Sequence, residues 1–160
     1  MSLIGKILAP SHVVDLQASS KKRLFEQAGL LFENHDGIAR SLVFDGLFAR
    51  ERLGSTGLGQ GVALPHARIR GLKDAQGALL RLAQPVPFDA ADGIPVNLAF
   101  VLLLPEKAAE RHLQMLSELA QMFSDKAVCE AMRGAPDVAT LHQLITVWQP
   151  DAPGRRRAAA

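Results

Sequence analysis

Gly54-Ser55-Thr56-Gly57-Leu58-Gly59-Gln60-Gly61-Val62-Ala63-Leu64-Pro65-His66 divides this chain, because most of the residues before it pattern as helix and those after it, as far as Leu104, pattern as strand. Four glycines alternate with small or polar residues from Gly54 to Gly61, a composition that sustains no helix and admits positive φ angles, so a loop is expected. Val62 to Leu64 then reads as a short strand stopped by Pro65, Gly77 to Ala83 as a second, and Val96 to Leu104 as a third. The last is almost wholly apolar, as a central strand covered on both faces must be. Pro85, Pro87, Asp92, Gly93 and Pro95 punctuate the link between the last two.

Working backward, Ser19 or Ser20 offers an N-cap for a helix carrying Leu24, Ala28, Leu31 and Phe32 and ending near Asp36-Gly37. A second helix is expected from Ile38 to about Leu53, with Phe44, Leu47 and Phe48 on one side and Arg50 near its C-terminal end. His12 to Gln17 is a short β-type run. Working forward from Pro105, Leu113, Leu116, Ala120 and Phe123 form one helical stripe, Val128 and Met132 a second, and Leu141, Leu144, Ile145 and Trp148 a third. Helices on both sides of a run of strands imply an α/β fold with a sheet covered on both faces.

Composition narrows the functional classes. With 160 residues and no internal repeat, one domain over residues 1–149 and a disordered basic tail over 150–160 are expected. No run of about eighteen apolar residues exists, so no membrane insertion is expected. A secretion pattern is also missing at Met1 to Pro10, and the single cysteine, Cys129, cannot form an internal disulfide. A cytoplasmic location fits these features. The basic pI is a tail effect: without residues 150–160 the body holds fifteen basic and fifteen acidic residues. With no tyrosine and one tryptophan as well, nucleic acid is not an expected partner.

The chemistry gathers at His66. A glycine loop can aim backbone N–H groups at one point and cradle phosphate oxygens, with Ser55 and Thr56 adding hydroxyls and Gly57 and Gly59 the freedom to turn. Such loops also serve merely as tight turns. The nucleotide motifs do not match, since Gly59 is followed by Gln60 where a P-loop has lysine. An imidazole directly after the loop is different: its neutral form is a nucleophile that accepts a phosphoryl group reversibly near neutral pH. Pro65 fixes φ just before it. Phosphoryl transfer then requires positive charge and alignment. Arg50 is a candidate for the charge and Arg68 a weaker one, and His112 at the start of a later helix is a second imidazole. His12, His35 and His142 are given no role. A zinc site lacks a third ligand, and Ser55 sits in no nucleophile elbow. No metal and no cofactor are expected.

The run Arg50-Glu51-Arg52-Leu53 followed by Gly54 to His66 closely resembles the signature of the phosphotransferase-system IIA domains of the fructose, mannitol and nitrogen-regulatory type. The similarity extends from about Ile4 to Trp148, most of all toward the stand-alone nitrogen-regulatory group. Further echoes are Ser20-Lys21-Lys22-Arg23, Pro87-Phe88-Asp89-Ala90, and His112-Leu113 with Leu116-Ser117. Ala67 stands where many relatives have glycine. The resemblance implies a three-layer sandwich with a mixed sheet between helices, and a phosphotransferase component acting as a carrier. It further implies that His66 takes its phosphoryl group from an HPr-like carrier, with Arg50 and His112 lining the site. The absence of a IIB domain from the 160 residues favours regulation of partners such as potassium-transport or sensor-kinase components. A sugar-transport subunit passing phosphate to a IIB domain, and a non-catalytic anion-binding module, are the alternatives.

Overall fold

Val96–Pro105 is the axis of the molecule: its sequence VNLAFVLLLP has apolar residues at both parities, and all but Asn97 are buried. In the computed structural model, which describes residues 3–150, this strand (β6) is bordered on both sides. Its antiparallel neighbour is β5 (Gln76–Val86), beyond which β1 (Val13–Leu16) runs parallel to β5. On the other side lie β3 (Val62–Ala63) and β4 (His66–Ile69), both parallel to β6, and β2 (Gly57–Gly59) pairs antiparallel with β3. Val62 faces Leu98 and His66 faces Leu102, so β3 and β4 are one strand in one register, interrupted at Leu64-Pro65.

The side chains of β6 alternate between two cores. Leu98, Phe100, Leu102 and Leu104 pack with α1 (Leu3–Ile7), α4 (Glu110–Phe123), α5 (Lys126–Gly134) and α6 (Val138–Val147). Ala99, Val101 and Leu103 pack with α2 (Lys21–Asp36) and α3 (Arg40–Glu51). The result is the expected α/β three-layer sandwich with a mixed sheet. Local signals explain the ends of α2: Ser20 accepts the Arg23 N–H at 3.1 Å, and Gly37 closes the helix in the left-handed region at φ 70°.

Several boundaries differ from the sequence reading. The glycine run is not all loop: Gly57–Gly59 forms β2, because a ladder uses only backbone groups, and the turn after it is taken by Gly59, Gln60 and Gly61, all at positive φ. Pro65 does not end the strand, which resumes at His66. The α4 stripe is shifted, since Leu113 is 61% exposed and the inward line is His112, Met115, Leu119 and Met122. Helix α1 has only five residues, too few for a periodicity to show. The basic tail expected over 150–160 lies, apart from Pro150, outside the described residues. Among the described residues no helix is long and apolar enough to cross a membrane.

Gly77 shows how tightly β5 and β6 are joined: a Cβ there would lie 2.6 Å from the ring of Phe100, a buried residue. Alanine suits a strand better than glycine, yet overpacking a closed core costs more. Gly77→Ala is expected to destabilise the fold by about 1–2 kcal/mol, seen as a lower urea midpoint with an unchanged slope.

Candidate functional site

His66 opens β4, next to the break in the strand, and its ring is partly buried. The break supplies the ring's anchor. Leu64 turns its backbone away from β6: its N–H donates to the carbonyl of Thr56 at 2.9 Å, and its carbonyl lies 2.8 Å from Nδ1 of His66. Pro65 meanwhile accepts the Leu102 N–H at 2.9 Å and keeps the chain on the sheet. A carbonyl only accepts, so Nδ1 carries the ring proton, and Nε2 of the neutral ring keeps its lone pair.

Electrostatics favour that neutral form. Burial first, and then the positive charge of Arg50, push the His66 pKa below its ordinary value, against the Leu64 hydrogen bond and the charge of Glu51, which pull it up. The result is an imidazole available as a nucleophile at neutral pH.

Arg50 arrives by helix geometry. Gly46 and Arg50 share a face of α3, one turn apart. A Cβ on Gly46 would sit 3.1 Å from the methyl of Ala67 and 3.3 Å from Ile69, so α3 lies close upon β4. Ala67 therefore fills space that the missing side chain at Gly46 leaves. One turn on, Arg50 borders the same cleft of about 490 Å³ as His66, with Ala49, Leu53, Arg68, Ala108, Leu113 and Leu116 around it. Nη1 of Arg50 donates to the carbonyl of Gly54 at 2.8 Å. A guanidinium has five N–H donors, so this bond leaves others for an anion.

His112 stands differently. It is 2% exposed and is not among the residues lining the cleft, although Ala108, Leu113 and Leu116 around it are. Its Nδ1 accepts the Ala109 N–H at 2.7 Å, half of a capping box, so the neutral ring donates from Nε2. Burial and the neighbouring Arg111 lower its pKa.

The donors expected to cradle phosphate are already engaged. Ser55 Oγ donates to the Phe88 carbonyl at 2.7 Å and accepts the Gly57 N–H at 3.1 Å. The N–H and hydroxyl of Thr56 both donate to the carboxylate of Glu51, at 2.9 and 2.7 Å. The Gln60 N–H donates to Asp92 at 2.7 Å, and a Cβ added to the neighbouring Gly59 would lie 3.1 Å from the same carboxylate. Sequence reasoning missed Glu51 and Asp92. A carboxylate next to an arginine reads as a surface pair until the fold shows it turned inward. Cys129 is buried, with its pKa raised chiefly by burial, and Sγ donates to the Phe123 carbonyl at 3.3 Å. Among the described residues no group of three or more His, Cys, Asp or Glu side chains is placed to hold a metal ion.

A mixed sheet between two helical layers, with a neutral histidine and an arginine at one cleft, defines a class. The family model of the phosphoenolpyruvate-dependent sugar phosphotransferase system, EIIA 2, matches residues 7–147, and the chain belongs to this family of phosphotransferase components. Within the family it is similar to nitrogen regulatory proteins. That of Pseudomonas aeruginosa is 42% identical over 147 residues, which cover 91% of this chain and 96% of the relative. The crystal structure of nitrogen regulatory protein IIA-Ntr from Neisseria meningitidis superposes with a TM-score of 0.85 at 52% identity, covering 91% of this chain and 100% of that one. The mannitol IIA of Escherichia coli shares the fold, with a TM-score of 0.69 at 20% identity over 86% of this chain and 97% of that one.

The lowered pKa sets a pH dependence. The folded state resists protonating His66 more than the unfolded chain does, so this ring's contribution to stability falls as pH drops below the ordinary imidazole range. NMR titration of the imidazole should give a midpoint below 6.5, with Nδ1–H the dominant neutral tautomer.

Proposed function

We propose that this protein is a phosphohistidine carrier of a phosphoenolpyruvate-driven relay, with His66 as the acceptor of a phosphoryl group from an HPr-like carrier. The observation that supports this most directly is the anchored ring: Nδ1 is bonded to Leu64, so Nε2 is the nucleophile. In the transfer, the Nε2 lone pair forms a bond to phosphorus as the P–N bond of the donor's phosphohistidine breaks. The donor's ring, protonated on its other nitrogen, takes back the electron pair and leaves as neutral imidazole, and His66 keeps its Nδ1 proton throughout. That Nδ1–H stays donated to the Leu64 carbonyl, which stabilises the positive charge that the phosphorylated ring acquires.

Arg50 offers its remaining donors to the phosphoryl oxygens, and His112 contributes an Nε2–H donor from beneath the cleft rim. Ser55, Thr56, Gly57 and Gly59 enter this reading as the frame that holds the histidine rather than as ligands of phosphate. Leu53, 84% exposed, and Leu113 form an apolar rim on which a carrier protein docks. We assign the output to regulation, because nitrogen regulatory proteins match over 91% of this chain. A phosphoryl group on His66 offsets the positive charge of a cleft bordered by Arg50 and Arg68, and targets such as potassium-transport or sensor-kinase components read that change. The reaction belongs in the cytoplasm with its phosphoryl source.

Incubation with phosphoenolpyruvate, enzyme I and an HPr-type carrier should add one acid-labile phosphoryl group, absent in His66→Ala. No gain with the native chain would favour an anion-binding module, and a deletion strain defective only in growth on fructose or mannitol would favour sugar transport. Arg50→Ala should retain the fold and slow transfer by roughly a hundredfold, measured as the rate of phosphoryl uptake.

A further inference from the structure

Glu51 is the least expected charge in the molecule. It ends α3, next to Arg50, yet its residue is only 9% exposed while Arg50 faces the cleft. A carboxylate is buried at high cost unless its oxygens are bonded and its charge matched. Here both conditions are met. Thr56 donates its N–H at 2.9 Å and its hydroxyl at 2.7 Å, and the ammonium of Lys21 stands 3.7 Å away. Lys21 also spans to Asp89 at 3.4 Å and lies 4.6 Å over the ring of Phe88.

The bonds continue past Thr56. Its carbonyl accepts the Leu64 N–H at 2.9 Å, and the Leu64 carbonyl accepts the Nδ1–H of His66 at 2.8 Å. Glu51, Thr56, Leu64 and His66 thus form a chain in which each member is held by the one before. The links pass through residues and not through single peptide groups, so the chain transmits position. The Glu51 charge acts on the ring as well, in opposition to Arg50.

The geometry points to Glu51 as a positioning residue for His66, acting through Thr56 and Leu64 to hold the ring in its Nδ1–H tautomer with Nε2 aimed into the cleft. This role rests on the phosphoryl-acceptor reading for its purpose, but its physical content, the ring's tautomer and titration, does not.

The test uses the full chain with Glu51→Gln, Thr56→Val and Thr56→Ser, thermal melting to establish folding, phosphoryl uptake from a phosphorylated HPr-type carrier, and ¹⁵N NMR of the His66 ring. Glu51→Gln is expected to slow uptake roughly ten- to a hundredfold, to move the His66 titration to lower pH, and to reduce the Nδ1–H share. Thr56→Val should change the rate in the same direction, and Thr56→Ser, which restores the hydroxyl, should approach the native protein. A role confined to stability would lower the melting temperature and leave the ring's titration and tautomer as they were. That result in a folded Glu51→Gln overturns the proposal. If Glu51→Gln does not fold, the threonine pair decides, and equal ring titration and uptake in Val and Ser overturns it. If the native chain takes up no phosphoryl group, the acceptor reading fails, while the NMR comparison still decides the positioning role.

Discussion

The Leu64 carbonyl oxygen, turned away from β6, holds Nδ1 of His66 at 2.8 Å, and the aim of the ring is set by that contact. One hydrogen bond is worth about 1 kcal/mol net, which biases a tautomer equilibrium roughly fivefold. The contact is available only because the edge strand is interrupted there. In an unbroken β3–β4 strand with β2 alongside, an outward carbonyl would have a ladder partner. Here the residue facing it, Thr56, accepts the Leu64 N–H at 2.9 Å but donates its own N–H to Glu51 at 2.9 Å, which leaves the Leu64 carbonyl to the imidazole. The glycine run therefore serves the histidine through the N–H that Thr56 turns to Glu51 and away from Leu64.

Consecutive residues at the end of α3 divide two tasks. Successive side chains on a helix point about 100° apart, so Arg50 and Glu51 cannot share an environment. The arginine borders the cleft and the carboxylate goes inside to Thr56. Their charges act oppositely on the His66 proton, and burial is the larger influence on it. What places both is Gly46, where the missing Cβ lets α3 settle onto Ala67 and Ile69. The Ala67 methyl thereby lies against the bare backbone of Gly46.

Much of this was legible in the sequence, and the gaps have physical reasons. His66, the caps Ser20 and Gly37, and the central strand at Val96 show themselves because each depends on local chemistry or an unmistakable apolar run. Strand β4 did not, because Pro65 removes one N–H without turning the chain, and a proline alone cannot tell interruption from ending. The face of α4 was misread at Leu113 because apolar periodicity assumes that apolar means buried, whereas this leucine lies at an open cleft. The engaged donors of Ser55 and Thr56 were hidden for a different reason. Their acceptors, Phe88 and Glu51, are named only by the tertiary fold, which also brings Lys21 and Asp89 together from the start of α2 and the loop before β6.

The two cores on either side of β6 touch the cleft from opposite directions. Gly46 and Arg50 belong to the layer of α2 and α3, Leu113 and Leu116 to that of α4, and His66 to the sheet between. The cleft is therefore a seam, bordered by both helical layers and by the sheet between them. A tilt or rise in either helical layer alters the seam before it alters any strand pairing, much as a vernier registers a displacement too small for the main scale.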